Sequence, residues 1–213
     1  MQNINRRQLL VSGGAILGAT VANPFSSLTS SALAAIDTEK SFDLVRADKN
    51  ENPYGPSRVA LQAINRAMNL TNRYGGGNRR NLVKLIAEQN GVASENVVLG
   101  SGSGEILKLG GLIASWETGS VVCVDPTYQD LVRYASRVRS QIVRVPVDEN
   151  LACDLEAVAS AIKKDTRMVY LVNPNNPVPN IINKNKLRDF VIEVSKDRLV
   201  FICLLYTSPS PRD

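Results

Sequence analysis

Amide, hydroxyl and glycine residues are gathered just behind three apolar runs. Asn173-Pro174-Asn175-Asn176-Pro177 follows Met168-Val169-Tyr170-Leu171-Val172, so amide side chains are set where a buried strand ends. Asn and Pro are ordinary turn formers, and turn chemistry alone also allows a plain chain reversal. Gly100-Ser101-Gly102-Ser103-Gly104-Glu105 follows a second apolar run, Val97-Val98-Leu99, and Pro126-Thr127-Tyr128 follows a third, Val121-Val122-Cys123-Val124. Three strands ending in three loops predict a shared ligand-facing edge. A phosphate ester carries about two negative charges, and a glycine-rich turn with backbone N–H groups converging at a helix N-terminus suits it. Gly100 to Glu105 has that composition. A dinucleotide site competes for the same residues, because Asp125 closes the next strand about where a ribose contact belongs. That reading needs a third glycine where Glu105 stands, and it leaves Tyr128 and Asn176 without a role.

The same residues, in this order, resemble the pyridoxal-phosphate-dependent aminotransferases of fold type I, and most closely their histidinol-phosphate aminotransferase-like branch. The resemblance runs from about residue 45 to 202 and includes two further segments, Asp48-Lys49-Asn50-Glu51-Asn52-Pro53-Tyr54-Gly55-Pro56 and Asn72-Arg73-Tyr74. It implies pyridoxal 5'-phosphate as cofactor and transamination between a small-molecule amino donor, an amino acid or amino acid-like phosphate, and a 2-oxo acid. By the resemblance, Ser103, Gly104 and Glu105 offer backbone amides to the cofactor phosphate, with the Ser103 hydroxyl beside them. Tyr128 is similar to the aromatic residue that stacks on the pyridine ring, and Asn176 to the asparagine that donates to the phenolic oxygen. Tyr74 is similar to a tyrosine that reaches the phosphate in the neighbouring subunit, which implies a homodimer, and Asn52 is placed at the substrate. One departure stands out: the family continues Asn-Pro-Thr-Gly where this chain reads Asn176-Pro177-Val178-Pro179. Val has no hydroxyl, and Pro fixes φ where glycine is free.

In the resembled family the Schiff-base lysine, the acid near the pyridine nitrogen and the substrate-carboxylate arginine all lie beyond Asp213. None of Lys84, Lys108, Lys163, Lys164, Lys184, Lys186 or Lys196 matches the lysine. No catalytic residue is therefore assigned, and the polypeptide as written is expected to be inactive. A decarboxylase or lyase of the same fold shares the cofactor cradle, and a periplasmic solute-binding protein is the alternative outside enzymes.

The ends read differently from the middle. Arg6-Arg7 precedes an apolar stretch from Leu9 to Val21, which leads to Ala32-Leu33-Ala34. This is the pattern of a twin-arginine export signal, residues 1–34, directing the protein to the periplasm. Its apolar centre is shorter than the roughly 20 residues a bilayer span needs, so no stable membrane span is expected. Residues 35–70 read as an N-terminal arm, and 71–202 as the first part of the cofactor-binding large domain. Residues 203–213, rich in Ser and Pro, read as a non-native tail behind a strand at Arg198 to Ile202 whose ligand-facing loop is missing.

What lies between the ends, about 170 residues, suffices for one domain with a core. Lys and Arg are interspersed with acids, and Arg6 and Arg7 carry part of the net charge of +5, so no nucleic-acid surface is expected. The chain has no histidine, which excludes Ser-His and Cys-His catalysis and the commonest metal sites. No metal ligation is expected from Cys123 and Cys153, the first of which reads as a buried free thiol inside a strand. Apolar runs alternate with helical patterns, predicting a three-layer α/β fold: a mainly parallel sheet with helices on both faces. Helices are predicted around Leu82 to Gln89 with Gly91 as a stop, and over Ile106–Trp116, Leu131–Val138, Leu155–Ile162 and Leu187–Val194. A further strand is predicted at Gln141 to Val145.

Overall fold

A computed structural model describes Asn52 and residues 54–204. The expected export signal, residues 1–34, and nearly all of the expected non-native tail lie outside the described residues. The chain forms two units, divided between Pro56 and Ser57. In the first, Asn52 closes a small turn: its Oδ1 accepts from Tyr54 N at 3.1 Å and its Nδ2 donates to Gly55 O at 3.2 Å.

The second unit opens with helix α1 (Arg58–Ala67), started by Ser57, whose Oγ accepts from Ala60 N. Helix α2 (Gly76–Asn90) stops where the sequence predicts, at Gly91, with φ at 63° and its N–H turned back to Ala87 O and Glu88 O. Then follow α3 (Ser103–Ala114), β1 (Ser120–Asp125), α4 (Asp130–Arg137), β2 (Gln141–Pro146), α5 (Leu155–Ala161), β3 (Thr166–Asn173), α6 (Lys184–Val194) and β4 (Leu199–Leu204). The four strands are all parallel, in the order β2-β1-β3-β4.

Strand periodicity divides the core in two. Val121 and Cys123 of β1 with Met168, Tyr170 and Val172 of β3 face α3 and α4, where Leu107, Ala114, Leu131 and Ala135 cover them. Val122, Val124, Val169 and Leu171 point the other way, toward Val158 of α5 and Leu187, Phe190 and Val194 of α6. Both central strands are covered on both faces, which is why they read as unbroken apolar runs. Right-handed crossovers explain the arrangement: the chain travels one way from β1 to β2 and the other way from β2 through β3 to β4, so α4 and the pair α5, α6 take opposite faces.

Helices α3 and α4 run side by side and parallel. A Cβ on Gly111 would stand 3.0 Å from Leu131 O and Ala135 N, and one on Gly110 2.7 Å from the Phe201 ring. Glycines therefore let α3 approach both the backbone of α4 and the sheet. At their C-terminal ends the hydroxyls of Ser115 and Ser140 meet at 2.7 Å.

One expectation needs correction. Val97 to Leu99 is extended but is no strand, because no neighbouring strand among the described residues offers it a ladder; Val98 is 74% exposed. The strand expected after Arg198 exists as β4, last in the strand order among the described residues and partly covered. It also continues through Cys203 and Leu204, paired with Val172 and Asn173.

Candidate functional site

The reversal of direction at β1 creates a topological switch point between the carboxyl ends of β1 and β3, the place where open parallel sheets bind ligands. The two loops that leave those ends are Asp125 to Gln129 and Asn173 to Asn183. The bonds Asp125–Pro126, Asn173–Pro174 and Asn176–Pro177 are cis.

Asn175 joins the two loops. It is 9% exposed, its Oδ1 accepts from Thr127 Oγ1 at 3.0 Å, and its Nδ2 donates to Pro126 O at 2.9 Å. Its backbone N–H goes to Asn180 O at 3.0 Å, and Asn180 N–H to Val178 O at 2.8 Å, so the Val178-Pro179 turn closes without a Thr hydroxyl or a glycine. Lower in the loop, Asn173 Oδ1 accepts from Ile182 N at 2.9 Å. Asn176, half-buried beside Asn175, has no hydrogen-bond partner for its amide among the described residues.

Tyr128 is half-buried against the core on the α3/α4 face. Its hydroxyl donates to Asp130 Oδ2 at 3.1 Å, and its carbonyl accepts from the hydroxyl of buried Tyr170 at 3.2 Å. Partial burial, and then the bond to Asp130, raise the phenol's pKa above its ordinary value. Burial raises Tyr170 as well, and pushes the Cys123 thiol up to about 11.

The start of α3 comes to the same edge. A Cβ on Gly104 would lie 4.0 Å from Asp130 Oδ2, which sets the first turns of α3 and α4 next to each other. Gly102, with φ at 78°, precedes the helix and no side chain caps it. The Glu105 carboxylate accepts from Ser101 N, leaving the first-turn amides of Ser103, Gly104 and Glu105 facing outward from the helix end. Open amides at the end of a 12-residue helix, an aromatic ring at its flank and an unengaged amide on the next loop fit an anionic, planar ligand.

The structure thus brings Ser103, Gly104, Glu105, Tyr128 and Asn176 to one edge of the sheet. Tyr74 is fully exposed ahead of α2, and Asn52 belongs to the other unit. Asp125, the residue on which the dinucleotide reading depends, is engaged by Arg144 Nη1 at 2.8 Å. Sequence reasoning missed Asn175, whose type signals only a turn, and Asp130, whose place two residues after Tyr128 was the one available hint. It also missed Gln129, which donates to Thr127 O at 2.7 Å and accepts from Arg144 Nη2 at 3.2 Å. A cavity of about 710 Å³ lies between α5 and α6, lined among others by Cys153, Leu155, Asp189 and Phe190 and by Asn180 to Asn183 at the far end of the β3 loop. None of the predicted site residues lines it, and its one lysine, Lys186, is outnumbered by the carboxylates of Asp148, Asp154, Glu156, Asp189 and Glu193.

The family profile "Aminotransferase class I and II" matches residues 43–203. A histidinol-phosphate aminotransferase from Moorella thermoacetica is 34% identical over 165 residues, covering 78% of this chain and 42% of that protein. The crystal structure of the histidinol-phosphate aminotransferase from Clostridium acetobutylicum superposes with a TM-score of 0.64 at 28% identity, over 75% of this chain and 46% of that one. The enzyme from Sinorhizobium meliloti, solved in complex with pyridoxal-5'-phosphate, shares the fold with a TM-score of 0.64 at 24% identity, over 72% and 42%. The chain spans less than half the length of these relatives. With its parallel sheet and this match across most of its length, the chain belongs to the aminotransferase class I and II family.

Proposed function

We propose that this chain holds the cofactor in a pyridoxal 5'-phosphate-dependent transamination of the histidinol-phosphate aminotransferase type. The observation that carries the reading is the convergence of the α3 N-terminus, Tyr128 and Asn176 at the switch point between β1 and β3. The bound cofactor would supply the electron sink for chemistry at an amino acid's α-carbon. The first-turn amides of α3 would bind its phosphate, the Tyr128 ring would fix the plane of its pyridine and exclude water from one side, and the Asn176 amide would donate to its phenolic oxygen. The Tyr128–Asp130 bond keeps the ring from turning away and partly occupies the carboxylate nearest the phosphate cradle.

The substrates proposed with this reading are an amino acid or amino acid-like phosphate and a 2-oxo acid. A homodimer is proposed as well; exposed Leu109, Leu112 and Ile113 on α3, with Trp116 beyond it, support burial against further protein. Decarboxylation on the same fold has no observation in its favour. Export by the twin-arginine route is proposed from Arg6, Arg7 and the apolar stretch behind them, and substituting both by Lys in a reporter fusion tests it through loss of periplasmic accumulation.

Calorimetric titration with pyridoxamine 5'-phosphate and with pyridoxamine tests the cofactor reading. Hydrogen bonds to a charged group contribute roughly 1.5–3 kcal/mol, so the phosphorylated form should bind at least about tenfold more tightly. Equal affinity for the two would refute it.

A further inference from the structure

Two side chains nominated for the cofactor stand on different loops, and neither fixes the other. Asn176 has no partner for its amide among the described residues, and Tyr128 is bonded to α4 and to Tyr170. The distance between them is set by what lies beside each: Asn175 precedes Asn176, and Pro126-Thr127 precedes Tyr128. Those neighbours are bonded directly to each other. Asn175 accepts from the Thr127 hydroxyl and donates to the Pro126 carbonyl, using both ends of one buried amide. Such a pairing constrains translation and rotation together, as a single bond does not.

The clamp is held from both sides. On the β3 loop, Asn175 N–H is anchored on Asn180 O. On the β1 loop, Thr127 O accepts from Gln129, which is bonded to Arg144, which is paired with Asp125 at the strand end. Exposed groups form the outer part of this chain, and its inner part is buried, where an unmet donor or acceptor costs the most. The buried link therefore dominates.

We propose that Asn175 is a positioning residue, which through Thr127 and Pro126 fixes the separation of the Tyr128 ring and the Asn176 amide and so the span that receives the cofactor's pyridine ring. This rests on the cofactor reading above. It assigns Asn175 no contact with the cofactor.

The test uses the full 213-residue chain with two readouts: backbone amide exchange in Thr127 to Gln129 and Asn175 to Asn180 without ligand, and affinity for pyridoxamine 5'-phosphate. Thr127→Val should speed exchange in both loops and weaken the probe by roughly two- to twelvefold, the worth of one hydrogen bond. Thr127→Ser, which keeps the hydroxyl, should restore both. Asn175→Ala should act like Thr127→Val or more strongly. Asn176→Ala should weaken the probe but leave exchange in Thr127 to Gln129 at the parent's rate, and in the Asn175→Ala background it should add less than about twofold, because coupled residues are not additive. Exchange that quickens in the β3 loop alone, or losses that multiply in the double variant, would overturn the proposal. An Asn176→Ala chain that binds the probe like the parent, while Asn175→Ala frees both loops, would overturn the cofactor reading and spare the clamp.

Discussion

The Tyr128 hydroxyl donates to Asp130 Oδ2 over 3.1 Å, tying the loop that leaves β1 to the first residue of α4. Asp130 in turn stands beside Gly104, so the aromatic ring and the open end of α3 share one neighbour. The ring's place at the site follows from this contact and from Tyr170 beneath it, whose hydroxyl holds the Tyr128 carbonyl.

Tyr128→Phe removes that bond and keeps the ring. Urea denaturation should show a loss of about 0.5–1.5 kcal/mol, and affinity for pyridoxamine 5'-phosphate should fall by less than about tenfold, because the ring loses its tether and the Asp130 carboxylate is freed beside the phosphate cradle. Tyr128→Ala should weaken the ligand further, since an aromatic ring pair contributes on the order of 0.5–1.5 kcal/mol beyond the area it buries. Equal ligand affinity in the Ala variant and the parent would remove Tyr128 from the site.

Gly111 is where α3 meets the α4 backbone, and a methyl group there would stand 3.0 Å from main-chain atoms of Leu131 and Ala135 and 3.3 Å from the Tyr134 ring. Gly111→Ala should therefore destabilise the chain by about 1–3 kcal/mol despite the higher helix propensity of Ala. A stabilised variant, measured by thermal or urea unfolding, would contradict the close packing of the two helices.

Asp125 and Arg144 form an ion pair with side chains 46% and 42% exposed. Pairs in this setting contribute about 0–1 kcal/mol and are screened by salt. Asp125→Asn should cost no more than that, with the difference from the parent shrinking at high ionic strength. A loss of several kcal/mol would show that the carboxylate does more than pair with Arg144.

Burial pushes the thiols of both Cys123 and Cys153 from 9.0 up to about 11. Between those values the folded chain retains protons that the unfolded chain has released, so stability falls as pH rises through this window. Urea midpoints measured from pH 8 to 11 should hold steady to about pH 9 and then decline. Cys123→Ala should flatten the decline; an unchanged slope would mean that this thiol does not contribute.

Much of the fold was legible because its central strands are buried on both faces. Runs such as Val121 to Val124 and Met168 to Val172 leave little room for another reading, and the helices between them keep their apolar spacing. Val97 to Leu99 misled for the same reason: apolar character marks a strand only where a partner supplies the ladder. The open amides of α3 were legible as glycine composition, and Tyr128 and Asn176 as members of a resembling pattern. The clamp was not, because an Asn in an Asn/Pro loop looks like any turn residue until the fold sets Thr127 and Pro126 against it. Asp130 was hidden likewise, since its nearness to Gly104 depends on two helices packing in parallel.

The most direct measurement is a backbone-amide NMR titration of the chain with pyridoxamine 5'-phosphate, followed by the same titration with pyridoxamine. The account predicts the largest shifts at Ser103, Gly104 and Glu105, with smaller ones at Tyr128 and Asn176, and loss of the first set when the phosphate is missing. Shifts confined to the groove between α5 and α6, around Cys153 and Phe190, or the same pattern with and without phosphate, would contradict a cofactor site at the switch point.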